Sequence, residues 1–150
     1  MTPAAPGIGP SVLVVEDEAM IALMVEDMLA EGGYRSAWSP DGRGGPAAPE
    51  RATEAAAAVV DLRLADGGDG RQVVRRLRDR CPDLPVVVLT GFHAEAPQAD
   101  LRGLGGPTLR LLKPIDRDDL LDGLAALLRP PAGGKPSLRR ASDARALIAA

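Results

Sequence analysis

Aromatic side chains are almost missing from this sequence: one Phe, one Tyr and one Trp among 150 residues. Tyr34, Trp38 and Phe92 are too few to build the stacking platform on which single-stranded nucleic acid is bound. Positive charge is not in excess either. The formal net charge is -3, whereas a general nucleic-acid binder is usually basic. Cys81 is the only cysteine, so neither an internal disulfide nor a thiolate metal cluster can form. No apolar run reaches membrane-spanning length. Residues 1–10 are rich in Pro and Gly and lack the basic and apolar parts of a signal peptide. The expectation is a soluble cytoplasmic protein with no nucleic-acid or membrane partner. Its length suits one domain with a core of its own.

What is present is a strand–helix alternation. Residues 12–15 (VLVV) read as a buried strand. Residues 19–31 place Met20, Leu23, Met24, Met28 and Leu29 at helical spacing, and Gly32-Gly33 stops them. Residues 34–38 (YRSAW) read as a second strand, 39–49 as a Pro/Gly loop, and 50–57 as a short helix. The pattern then recurs: strand 58–62 (AVVDL), a glycine-rich loop at 65–70, an amphipathic helix at 71–80, and strand 85–91 (PVVVLTG). A weak helix is expected over 95–102, a fifth strand over 108–114 (TLRLLKP), and a helix over 116–128 with Asp116 as its N-cap. Three segments follow: a flexible N-terminus at 1–10, the domain at 11–129, and a flexible tail at 130–150 with a fragment of helix near its end. Five strands alternating with helices imply a parallel sheet covered on both faces, and the continuous apolar strands fit that burial.

In such sheets ligands bind outside the carboxyl ends of the strands. The polar residues at those ends are Glu16 and Asp17 on the first strand, Asp61 on the third, Thr90 on the fourth and Lys113 on the fifth. Three carboxylates at one edge repel one another unless a cation compensates. A hard divalent ion, Mg²⁺ above all, suits oxygen ligands supplied by few carboxylates, waters and phosphate oxygens. A lysine and a threonine beside it complete a set that can neutralise a phosphoryl group, whose transfer depends mainly on positioning and charge.

VLVVEDE, VVDLRL, VVVLTG and LLKP, in this order and at these separations, resemble the receiver domain of two-component response regulators. The resemblance covers about residues 11–129. It implies a flavodoxin-like, doubly wound five-stranded parallel sheet of strand order 2-1-3-4-5. It also implies that Asp61 accepts a phosphoryl group from a histidine kinase or a histidine phosphotransfer protein. Glu16, Asp17 and Asp61 would bind Mg²⁺, with the backbone carbonyl of Arg63 as a further ligand. Thr90 would hydrogen-bond the phosphoryl group, Lys113 would pair with it, and the Lys113–Pro114 bond would be cis. With about twenty residues after the domain, output is expected through contacts with an unknown downstream protein, on the face of strand five and its flanking helices. The protein is expected to be a monomer or weak homodimer and not an enzyme beyond slow self-phosphorylation and dephosphorylation.

The sequence departs from the family at several points. Ala65 stands where Pro is frequent, and the loop after it is one residue longer than usual. Arg110 occupies the place of the aromatic switch three residues before the lysine, as in some alphaproteobacterial receivers. A long cation is poorly suited to an apolar slot, so Arg110 is expected at the surface as the output contact. A phosphate sink or phosphorelay adaptor is the alternative. A small phosphatase with Asp61 as nucleophile is a weaker one, because Arg63 stands where such enzymes carry an acid. The remaining polar features have plainer readings. Glu18 reads as a helix cap or turn residue, His93 as an exposed loop residue and Cys81 as a small buried filler. Residues 75–80 (RRLRDR) read as a solvated helix face, and the basic stretch at 139–142 as flexible tail.

Overall fold

The computed structural model describes residues 9–39, 54–62, 69–91, 101, 103–129 and 147–148. The elements are β1 (Ser11–Val15), α1 (Ala19–Glu31), β2 (Arg35–Ser39), β3 (Ala57–Asp61), α2 (Gly70–Arg80), β4 (Val86–Thr90), β5 (Thr108–Leu112), α3 (Arg117–Leu128) and β6 (Leu147–Ile148). The sheet order is β2-β1-β3-β4-β5-β6. The first five strands are parallel, as the alternation requires. The sixth is an addition to the expected sheet: two residues that run antiparallel to β5, Leu147 opposite Leu109 and Ile148 opposite Thr108.

The strands are apolar on both faces because both faces are covered. Alternate residues of β1 go opposite ways. Val12 and Val14 join Val25, Leu29, Leu120 and Leu124 on the α1–α3 side. Leu13 and Val15 join Val73, Val74 and Leu77 on the α2 side. Leu120 and Leu124 are fully buried, so truncating either to Ala removes about 2–5 kcal/mol of stability. Helices α2 and α3 start where the sequence provides a side-chain acceptor for the free amides of a first turn. Asp69 accepts from the Arg71 amide at 2.9 Å, and Asp116, as expected, from the Asp119 amide at 3.0 Å. Gly70 is required by proximity. A Cβ there would collide with the Asp61 carbonyl oxygen, because α2 begins directly over the end of β3.

Two expectations change here, and a third falls almost wholly outside the described residues. Glu54–Ala56 are not helical and Ala57 opens β3. The Ala56 amide donates to the Ser11 carbonyl at 2.8 Å, and Ala57 pairs with Val12. Sheet pairing thus takes the alanines that the helix reading claimed, while residues 50–53 lie outside the described set. The described part of the tail, Leu147–Ile148, is strand and not helix, because the edge of β5 offers it backbone partners. The helix expected over 95–102 falls outside the described residues except for Leu101, which is buried but irregular.

The largest change concerns the 75–80 run. Arg78 is buried. Its guanidinium donates to the carbonyls of Leu84, Leu104 and Pro107 and to Thr108 Oγ1, at 3.1, 3.2, 2.6 and 2.8 Å respectively. It occupies the inward stripe with Val73, Val74 and Leu77. There it ties the end of α2 to the chain entering β4 and to the loop entering β5. Gly106, at φ +63°, makes room for it: a Cβ at that position would stand 2.7 Å from Arg78 Nε.

Candidate functional site

Parallel pairing brings the carboxyl ends of four strands to one edge in register. Val15 is opposite Val60, Asp61 opposite Leu89, and Thr90 opposite Leu112. Glu16 therefore follows β1 beside Asp61, the last residue of β3, and Lys113 follows β5 beside Thr90. The backbone continues the match, with the Lys113 amide donating to the Thr90 carbonyl at 2.9 Å. Glu16, Asp61 and Thr90 are each no more than 2% exposed, which is rare for acids and marks a site built inward. Asp17 and Lys113 are half-buried at its mouth.

Lys113 Nζ donates to Asp61 Oδ2 at 2.7 Å. The Asp61 carboxylate is almost fully covered and the lysine partly open to water. The Lys113–Pro114 bond is cis. Glu16 Oε1 accepts from the Glu18 amide at 3.1 Å. Glu16 Oε2 is buried and accepts no hydrogen bond. Burial, and then the facing Asp61 carboxyl, push the Glu16 carboxyl from 4.5 up to about 8; the Glu18 amide and Lys113 pull weakly the other way. Two ionised carboxyl groups side by side in a buried site repel, so near neutral pH a proton on Glu16 stands in for a cation.

Among the described residues, no three acid, His or Cys side chains are gathered as a metal-holding cluster. The donor chemistry nevertheless fits a hard divalent ion. The oxygens are carboxylate oxygens, one of them is buried without a partner, and one carboxyl holds a proton that a cation would displace. The Arg63 carbonyl, expected as a further ligand, lies outside the described residues, as do Ala65 and His93.

Arg110 is half-buried rather than at the surface, and its Nε is buried without a hydrogen-bond partner. The reason is its place in the middle of β5, opposite Val88. Glu18 holds the N-cap position of α1 without a side-chain bond to the helix, and Cys81 packs partly buried against the α2-side core. Two features escaped the sequence reading. Trp38 at the end of β2 donates its indole N–H to the Glu16 carbonyl at 2.6 Å. Met20, Leu23 and Met24 on α1 are 73%, 52% and 40% exposed, an apolar stripe that starts three residues after Asp17. Their helical spacing resembled that of a core face, and only the actual packing shows that Ala22, Val25 and Leu29 take that role.

Comparison with known proteins gives a consistent neighbourhood. Residues 12–125 match the family model described as the response regulator receiver domain. The chain is 36% identical over 129 residues to the photosynthetic apparatus regulatory protein RegA of Rhodovulum sulfidophilum, covering 83% of this chain and 69% of that one. It is 35% identical over 138 residues to the transcriptional regulatory protein TcrA of Mycobacterium tuberculosis, covering 91% of this chain but only 53% of TcrA. Among solved structures it is similar to the receiver domain of sensor histidine kinase PA1611 from Pseudomonas aeruginosa, which holds a magnesium ion in its active site cleft. That likeness has a TM-score of 0.68 at 27% identity and covers 80% of this chain and 98% of the other. Vibrio cholerae chemotaxis protein CheY4 gives a TM-score of 0.67 at 25% identity, covering 83% and 100%.

Proposed function

The chain belongs to the response regulator receiver family, and we propose that it accepts a phosphoryl group on Asp61 from a histidine kinase or a histidine phosphotransfer protein. The observation that carries this reading is the buried Asp61 carboxylate held at 2.7 Å by Lys113, beside the buried, unpartnered Oε2 of Glu16. In the transfer, an Asp61 oxygen forms a bond to phosphorus as the donor's nitrogen–phosphorus bond breaks, and the freed imidazole leaves with the donor. Glu16, Asp17 and Asp61, with the Arg63 carbonyl that the family resemblance implies, would hold Mg²⁺, which would supply charge compensation for the phosphoryl oxygens. Lys113 contributes the second positive charge, and the Thr90 hydroxyl donates to a phosphoryl oxygen. Burial of Asp61 keeps water scarce around the acyl phosphate that results.

The donor has to reach Asp61 from the edge where the acids lie. The exposed stripe Met20, Leu23 and Met24 flanks that approach and offers apolar area to a partner helix. The signal leaves through protein contacts on the face of β5 and its neighbours. The test is phosphorylation by acetyl phosphate with Mg²⁺, followed by intact mass. Wild type is expected to gain one phosphoryl group and Asp61→Asn none. Undiminished labelling of the variant would remove Asp61 as the acceptor.

A further inference from the structure

We propose that Trp38 is a positioning residue for the acid pair: its indole N–H, with the backbone of Ser39, fixes the peptide units on both sides of Glu16. The Glu16 amide donates to the Ser39 carbonyl at 3.3 Å, and the Glu16 carbonyl accepts from Trp38 Nε1 at 2.6 Å. Together the two bonds hold the backbone on each side of the Glu16 Cα. The direction in which its Cβ leaves the chain is thereby set from β2, the neighbouring strand. The side chain is then held a third time, by the Glu18 amide on Oε1 at 3.1 Å. What remains is Oε2, buried and without a donor, beside Asp61.

The Glu16 carbonyl belongs to the peptide that joins Glu16 to Asp17, so one side-chain donor anchors the link between the two acids. Trp38 is suited to this by its shape. Its ring packs against the α1–α3 side of the core, which restrains the N–H in direction as well as in distance. A buried tryptophan N–H ordinarily finds some acceptor. This one takes as its acceptor the carbonyl of the first residue past the end of β1. A flexible donor would satisfy the carbonyl but would not hold it in place.

The experiment compares wild type with Trp38→Phe and with β-(3-benzothienyl)alanine at position 38. The second variant keeps the shape of the indole and replaces only its N–H by sulfur. Two quantities are read on the full chain: the Mg²⁺ dissociation constant by calorimetry, and hydrogen exchange of the Glu18 amide without metal. Both variants are expected to keep the wild-type circular dichroism. Mg²⁺ should bind about three- to tenfold more weakly, the worth of one hydrogen bond, and the Glu18 amide should exchange faster by a similar factor. A Glu18 amide that exchanges as in wild type in the benzothienyl variant overturns the proposal, whatever the metal does. The magnesium arm rests on the metal assignment made above and the exchange arm does not. If wild type binds no Mg²⁺ while the Glu18 amide still responds, the metal assignment fails and the positioning role stands.

Discussion

Replacing Glu16 by Gln should stabilise the metal-free protein above neutral pH. The wild-type carboxyl titrates near 8 in the folded chain against 4.5 when unperturbed. Folded protein therefore holds a proton that unfolded protein has already released, and stability falls as pH rises between those values. The contribution is fully present below pH 4.5 and lost as pH passes through 8. At about 1.4 kcal/mol per unit the whole shift amounts to about 5 kcal/mol, of which about half is lost between pH 5 and pH 7. That is a large fraction of the 5–15 kcal/mol typical of a domain. Gln has the same shape, keeps an acceptor for the Glu18 amide, and turns a permanent N–H toward Asp61. Urea unfolding at pH 5, 7 and 8.5 in EDTA should show wild type losing stability with pH and Glu16→Gln nearly level across the range. At pH 8.5 the variant should be the more stable by about 2–4 kcal/mol. Added Mg²⁺ should raise wild type at pH 8.5 far more than the variant, because the cation takes over the role of the lost proton. Parallel pH profiles for the two proteins would refute the assignment of the buried proton to Glu16.

Other perturbations separate the roles of the remaining residues. Asp17→Asn should weaken Mg²⁺ binding strongly, followed through the emission of Trp38, the only tryptophan; equal affinity would remove Asp17 from the metal set. Arg110→Ala should leave acetyl phosphate labelling of Asp61 close to wild type while weakening phosphorylation-dependent capture of partners; loss of labelling would make Arg110 part of the site and not of the output. Arg78→Met should cost about 2–4 kcal/mol in chemical denaturation, because the carbonyls of Leu84, Leu104 and Pro107 lose their donor. A neutral result there would mean that water replaces the guanidinium.

The sheet was legible because its signal is redundant. Three of the five parallel strands are runs of apolar residues with a polar residue at or just past the carboxyl end, β5 repeats that ending with Arg110 in its middle, and parallel pairing converts the repeated position into one edge. Asp61 and Lys113 could be placed together without knowing any helix boundary. The 13 residues of α1 were also legible, since helical spacing and a Gly-Gly stop agree. What the pattern did not show was which apolar stripe faces inward. Ala22 and Val25 are buried while Met20 and Leu23 are not, although the alanine side chain is far less apolar than the methionine or the leucine.

Arg78 and Trp38 were illegible for a different reason: each is defined by backbone carbonyls, which every residue carries and which no sequence pattern marks. The spacing 73, 74, 77, 78 did place Arg78 on the inward stripe, but charge argued for solvent. Only a cage of carbonyls brought by the 104–107 loop reverses that preference, because the guanidinium's donors then lose water and gain acceptors. The same logic separates Glu16 from Glu18. Both are acids in one short run. Glu16 lies between a strand end and a buried neighbour, so its charge has to be met by a proton or a cation. Glu18, two residues further along and exposed, is met by water. Sequence spacing shows that acids converge on the edge of the sheet. Burial decides which of them carries the proton, and therefore which of them a cation would displace it from.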